Sequence, residues 1–307
     1  MSITCFSLTC IIGTVGNGLV IWITGFKMRK TMTTTWFLNL GIADFSFCLF
    51  LPLYITEVAM WGNWPFGQIM CKVRFFIISL NAIASVLFLM AISIDRCVCV
   101  LCPIWSRNHR TSSSAAIISV IIWFFSVALS SSYLLMRDIN IYYISVCLVT
   151  NRAWENITTT DETFNQTFQA IVIFDCVFTL LIPFSIILVC YGLIVFRVKK
   201  SRRIHGSAQT LKIIVTTVIC FFFCWVLYSV LPVIDVVGHY VPLHHRFLIY
   251  TLADCLAFFN SCLNPIIYVF MGRKFKQVLR KSIPFLLEST FRESLDPPEM
   301  LEHNNSL

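Results

Sequence analysis

Apolar residues in this chain run almost unbroken for twenty or more positions and stop at charged or turn-forming clusters. About 20 consecutive apolar residues is the length a helix needs to cross the hydrocarbon core of a bilayer. Seven such windows lie near residues 2–25, 34–60, 71–101, 114–136, 168–196, 210–236 and 246–271. They predict an all-α membrane protein, a seven-transmembrane helix bundle. A transmembrane barrel is excluded, because its shorter segments would alternate apolar and polar positions. Beyond the last window, Phe275, Val278 and Leu279 sit at helical spacing against Arg273, Lys274, Lys276 and Arg280. That pattern predicts a short amphipathic helix on the membrane surface. The chain thus divides into a helical domain over 1–271, the amphipathic helix over 272–283 and a tail over 284–307, expected to be disordered.

Composition strengthens the membrane reading. With 58% hydrophobic and 12% charged residues in 307 positions, a soluble domain of this size could not cover its surface. Charge then gives an orientation. If the first connection is cytoplasmic, that side collects 18 of the 23 Lys and Arg residues, leaving Lys72, Arg74, Arg137, Arg152 and Arg246 for the other face. The positive-inside rule therefore puts the N-terminus outside and the tail inside. The net charge of +8 is a solvated cytoplasmic face near anionic lipid and calls for no nucleic acid. Met1 opens almost directly into the first span, with neither a hydrophilic arm nor a cleavable signal-peptide pattern in these residues.

Polar residues inside the windows are the candidates for function, since each is costly in hydrocarbon. Asp95-Arg96 closes the third window, and Asp44 stands near the middle of the second with no basic residue within a helical turn. A bare carboxylate there must be protonated, paired or bound to a cation. Asn81 with Ser85, and Asn260 with Asn264, are each four apart and so share a helix face. Hard oxygen ligands from several helices suit a small alkali cation, and a water-filled polar network among the same groups is the other reading. Asn17, flanked by Gly16 and Gly18, is placed to bond across a close helix contact. Cys71 and Cys147 are the two cysteines in outward-facing positions, where an oxidising exterior favours a bridge. The same face carries the glycosylation sequons at Asn156 and Asn165, while the match at Asn304 lies in the tail. Pro183 and Tyr191, then Phe221, Cys224 and Trp225, and finally Asn264-Pro265-Ile266-Ile267-Tyr268 mark the last three windows. A proline in a membrane helix frees a carbonyl and bends the helix.

Taken together, seven spans, Asp95-Arg96, Asp44, Trp225 and Asn264-Pro265-xx-Tyr268 resemble the rhodopsin-like (class A) G-protein-coupled receptors. Within them, Gly16-Asn17-Gly18-Leu19-Val20-Ile21-Trp22, Asp95-Arg96-Cys97-Val98-Cys99-Val100-Leu101, Asn108-His109-Arg110-Thr111 and the run Ala257 to Pro265 look like the chemoattractant receptors of the formyl-peptide and chemerin group. The resemblance implies that Arg96 pairs with Asp95 at rest and turns to a G protein on activation, held there by Tyr191 and Tyr268. It implies an allosteric sodium site at Asp44, Asn81, Ser85, Asn260 and Asn264, with no other cofactor. Trp225 with Phe221 and Pro183 would relay ligand binding, and Cys71 and Cys147 match the family's extracellular disulfide. The partners implied are an extracellular peptide or lipid ligand, a heterotrimeric G protein of the inhibitory class, arrestin and the lipid bilayer, in the plasma membrane.

The chain departs from the family pattern at two sets of positions. Cys224-Trp225-Val226-Leu227 lacks the proline that usually ends this motif, and Pro232 lies further on. The third-helix acid and two fifth-helix arginines of formyl-peptide receptors correspond here to Ser79, Ile171 and Asp175. The candidate ligand-binding residues are Arg74, Ser79, Asp175, Trp225, Tyr228 and Asp254. Asp175 with Asp254 favours a cationic ligand group, unless Arg74 or Arg246 neutralises them internally. A receptor that binds ligand without signalling is one alternative, and a transporter using the intramembrane acids is a remote one. The spans offer no nucleophile, metal cluster or phosphate loop, so no enzymatic activity is expected.

Overall fold

The structure is a computed structural model that describes residues 2–132, 134, 137–141, 145–149, 161–200, 208–237, 243–271, 275 and 277–280. Helices α1 (Ser2–Trp22), α2 (Met32–Ala59), α3 (Gly67–Leu101), α4 (Pro103–His109) and α5 (Ser112–Ser130) form the first half. A strand pair, β1 (Arg137–Ile141) and β2 (Ser145–Val149), follows α5. The second half holds α6 (Asp161–Cys176), α7 (Ile182–Lys200), α8 (Ala208–Val236) and α9 (Leu243–Met271). Helices α6 and α7 form one span, joined by a π-helical turn at Val177–Leu181. Pro183 just beyond that turn has no backbone N–H to give to the preceding turn, which accounts for the irregular ladder there.

Element ends follow local chemistry. At the start of α2, Thr31 Oγ1 accepts from the Thr34 backbone N–H at 3.2 Å, and the Thr31 N–H donates to Thr34 Oγ1 at 2.7 Å. This reciprocal pair satisfies two donors the helix leaves open. Thr111 caps α5 through the Ser114 N–H at 3.1 Å. Helix α5 ends at Ser130, where Ser131 and Ser132 hydroxyls bond back to Ala128 and Leu129 carbonyls, and residues 132 and 134 are again helical. Such back-bonding competes with the helical ladder.

Six helical stretches among the described residues are long and apolar enough to cross a membrane. The predicted seventh span, α9, is 29 residues long, but Asp254, Asn260 and Asn264 dilute its apolar character. Helix α3 runs through the middle, packing on α2, α5, α7 and α8, while α1 packs on α2 and α9. Bulky apolar side chains cover the outside as well: Phe124 and Val120 on α5, Phe196 on α7 and Phe223 on α8 are exposed. A protein apolar on both its inner and outer faces matches a lipid environment.

Close approach of α1 to its neighbours depends on glycine. A Cβ on Gly16 would meet the Pro265 ring at 2.8 Å. The small residues beside Asn17 therefore admit α9, and Asn17 Nδ2 donates to the Ser261 carbonyl at 2.8 Å.

The β-hairpin adds a small sheet to the predicted all-helical pattern. Its register pairs Ile139 with Cys147 and Asp138 with Leu148. Of the predicted amphipathic helix, residues 275 and 277–280 are described and helical. Phe275, Val278 and Leu279 pack on Val20, Ile23, Ile267 and Tyr268, while Gln277 and Arg280 are exposed. The remainder of 272–283 and the tail from 284 lie outside the described residues.

Candidate functional site

Three polar centres lie along the bundle. The middle one is built on Asp44, which is fully buried. Asn81 Nδ2 on α3 donates to Asp44 Oδ1 at 3.0 Å, and Asn264 Nδ2 on α9 donates to Asp44 Oδ2 at 2.7 Å. The carboxylate thus ties three helices together. Ser85 Oγ and Asn260 Nδ2 are buried with no hydrogen-bond partner in the protein. A carboxylate and a hydroxyl oxygen with uncommitted capacity are hard donors, and the residues present fit a sodium ion.

At the far end of α3, Asp95 is the hub of a second centre. Arg96 Nη2 donates to Asp95 Oδ2 at 2.5 Å and to Thr33 Oγ1 at 2.5 Å. Arg110, between α4 and α5, grips the same carboxylate with two bonds, Nε to Oδ1 at 2.6 Å and Nη2 to Oδ2 at 2.9 Å. It also reaches Thr33 Oγ1 at 3.0 Å. Burial works against the Arg110 charge, but the hydrogen-bonded Asp95 outweighs it and holds the guanidinium pKa above its ordinary value. Tyr191 and Tyr268 make no hydrogen bond to this hub, although Tyr191 lies within electrostatic range of Arg96. Their hydroxyls have no partner, and the Tyr268 ring lies 4.6 Å from that of Phe37.

The third centre is at the Cys71 end. A disulfide joins Cys71 on α3 to Cys147 on β2, with Cα atoms 5.8 Å apart, and Trp64 is buried against it. Next to it, Arg74 is ion-paired with Glu57 on α2. The rings of Tyr54, Phe75 and Trp64 surround its guanidinium at 4.3, 4.5 and 4.7 Å. Arg74 is therefore committed to the fold, and it does not line the neighbouring cavity. Its cation is enclosed by a carboxylate and three aromatic faces.

The cavity itself, of about 30 Å³, has Ser79, Asp175, Thr179, Trp225, Tyr228 and Ser229 as its polar lining. Trp225 sits 5.9 Å from Phe221 and 5.2 Å edge-on from Tyr228. Pro183 is buried on α7 nearby in the chain to the π turn. Asp254 does not line the cavity but lies within electrostatic range of Arg74 and Glu57. Helix α8 runs unbroken through Leu227, with Pro232 inside it.

A family model described as 7 transmembrane receptor (rhodopsin family) matches residues 16–268, which hold all three centres. The chain belongs to that family. Among relatives of the receptor, Formyl peptide receptor 2 of Mus musculus is 36% identical, over 95% of this chain and 86% of the relative. Chemerin-like receptor 1 of Rattus norvegicus is 40% identical, over 89% of this chain and 75% of the relative. N-formyl peptide receptor 3 of Homo sapiens is 36% identical, over 96% and 86%. The protein is thus a ligand-binding G-protein-coupled receptor of the chemoattractant group, a multi-pass membrane protein and not an enzyme.

The sequence reading of the receptor passed over three members of these centres. Glu57 carries no motif, and Arg110 and Thr33 were visible only as one residue of a family-like run and one threonine among four. Asn156 lies outside the described residues. Asn165 falls within α6, and its side chain is outside them too.

Proposed function

We propose that this receptor sits in the plasma membrane with its N-terminus outside, takes an extracellular peptide or lipid within the outer half of the bundle, and activates an inhibitory-class G protein. Arrestin is its second partner. The observation that carries the reading is the Asp95 hub. Arg96 is held by Asp95 and Thr33 while the hydroxyls of Tyr191 and Tyr268 have no partner, which is a restrained switch with its acceptors of the released state in reserve. Names of the relatives, formyl peptide and chemerin-like receptors, support a chemoattractant ligand. The excess of Lys and Arg on one face supports the orientation, and Asn156 and Asn165 then carry glycans outside.

In this reading ligand contact with Ser79, Asp175, Tyr228 and Trp225 shifts the Phe221 and Pro183 packing, and the helices redistribute toward the arrangement that frees Arg96. Asp44, Asn81, Ser85, Asn260 and Asn264 hold a sodium ion that favours rest. Leu227 in place of proline favours a second reading, a receptor that binds without signalling. Nucleotide exchange on an inhibitory G protein, measured in cells with confirmed surface expression, separates the two. The unmodified chain is expected to respond to a panel of peptide and lipid chemoattractants. Silence that Leu227→Pro relieves would replace the signalling reading with the second, and silence in both forms would overturn it.

A further inference from the structure

Each end of the bundle holds a pair of free cysteines whose thiols meet across two helices. Cys5 stands in the first turn of α1 and Cys255 on α9. The Cys5 thiol donates to the Cys255 backbone carbonyl at 3.9 Å, and the two thiols are within hydrogen-bonding reach of each other. Cys5 is half-buried, so a small reagent can approach it, while Cys255 is 9% exposed. The start of α1 is held in place against α9. Phe6 packs on Phe258 with ring centroids 5.3 Å apart, and Cys262 donates to the Thr9 carbonyl at 3.3 Å. The Asn17 bond to the Ser261 carbonyl continues the contact deeper into the bundle.

Contacts also show which end this is. The Phe6 ring lies 6.2 Å from that of Tyr54, and Tyr54 carries the guanidinium of Arg74, beside the Cys71–Cys147 disulfide. Cys5 and Cys255 therefore share the end of the molecule where a disulfide already stands. A compartment that oxidises one thiol pair acts on the other as well. The second free pair is Cys97 on α3 and Cys190 on α7, buried together at the opposite end, next in the chain to Arg96.

We propose that Cys5 and Cys255 are a modification site that closes a second disulfide and ties α1 to α9, while Cys97 and Cys190 stay thiols. The proposal rests on the reading above that puts the Cys71 end outside the cell. The chemistry is thiol–disulfide exchange with a small disulfide such as oxidised glutathione. The Cys5 thiolate attacks one glutathione sulfur, forms a mixed disulfide and expels a glutathione thiolate. The Cys255 thiolate then attacks Cys5 Sγ and expels the second glutathione, so two protein thiols become one disulfide and one glutathione disulfide becomes two thiols. A disulfide requires Cα atoms about 4.4–6.8 Å apart. A sulfur that already rests on the other residue's backbone reaches its partner by side-chain rotation. The two cysteines are separated by 250 residues in sequence, and a cross-link over so long a loop restricts the unfolded chain strongly.

The test uses the full chain on the surface of intact cells. Free thiols are capped with N-ethylmaleimide before lysis, and the purified receptor is digested without reduction and read by mass spectrometry. The expected result is a Cys5–Cys255 cross-linked peptide beside the Cys71–Cys147 one, with N-ethylmaleimide on Cys97 and Cys190. Cys5→Ala should abolish the first cross-link and keep the second. N-ethylmaleimide on Cys5 and Cys255 in molecules whose Cys71–Cys147 bond is intact would overturn the bridge and leave the orientation standing. A Cys97–Cys190 bond in molecules with thiols at Cys71, Cys147 and Cys5 would overturn the orientation and the bridge with it. Melting of the purified receptor gives a second readout. Cys255→Ala is expected to lower the melting temperature by several degrees in the parent and by much less in the Cys5→Ala background, where the bridge is already gone. Equal losses in the two backgrounds would mean separate packing effects and no bridge.

Discussion

At the level of single residues, the balance at Asp95 decides how firmly Arg96 is restrained. The carboxylate accepts one bond from Arg96 and two from Arg110. Hydrogen bonds to charged groups contribute about 1.5–3 kcal/mol each when well formed, so neither partner is incidental. Arg110 competes with Arg96 at Oδ2 and holds Oδ1 as well. Removing the competitor leaves Asp95 to Arg96 alone and makes release of Arg96 harder. Arg110→Gln is therefore expected to lower basal nucleotide exchange severalfold. Removing the shared charge acts the other way, and Asp95→Asn is expected to raise basal exchange, because Arg96 keeps only the neutral Thr33 hydroxyl. Opposite signs from these two variants, measured on membranes with matched receptor amounts, are the signature. A rise with Arg110→Gln would mean that Arg110 restrains the switch by fixing Asp95, not by competing for it.

Among elements, the contact between α1 and α9 is the close helix approach that Asn17 and its flanking glycines suggest in the sequence, with α9 as the partner. Gly16 faces Pro265 with no room for a Cβ, and Asn17 bonds across to the Ser261 carbonyl. Gly16→Val forces three carbons into that gap, so α1 must shift or the Asn17 bond must break; overpacking of this kind costs about 1–3 kcal/mol. The variant is expected to melt several degrees lower, whereas Gly18→Ala, whose Cβ would lie 3.5 Å from the Phe45 ring, should melt within a degree or two of the parent. Equal melting points for Gly16→Val and the parent would show that α1 is free to move.

The same contact shows what was legible beforehand. Spans could be read from apolar runs because a lipid environment imposes one rule over twenty residues, and the Asp44 centre could be read because lone polar residues stand out against that background. Glu57 and Arg110 could not. Each finds its partner at 17 or 15 residues' distance, across a turn whose path no local pattern sets. Arg74 likewise is an ordinary arginine in the sequence until Glu57 and three rings are seen around it. The hairpin was hidden for a related reason: strands of five residues are too short to declare a period, and the bond of Cys147 to α3 holds them in place.

For the molecule as a whole, Asp44 joins helices α2, α3 and α9, so anything bound there acts on their mutual arrangement. A cation at Asp44 with the Ser85 hydroxyl would hold the three helices in the geometry described here, while ligand binding at Trp225 asks α8 and its neighbours to move. Two events that favour different arrangements must oppose each other, and by linkage each weakens the other by the same factor, typically 5–150-fold. The stabilising half of this coupling can be measured without any ligand. Sodium binding to the folded receptor raises its melting temperature in proportion to the logarithm of its concentration above the dissociation constant. The purified receptor is expected to melt higher in sodium chloride than in an equal concentration of N-methylglucamine chloride, a cation too large for the site. Asp44→Asn keeps an oxygen and the shape but loses the charge, and should melt at the same temperature in both salts. A difference that persists in Asp44→Asn would place the cation elsewhere, and no difference in either form would leave Asp44, Asn81 and Asn264 as a purely structural knot.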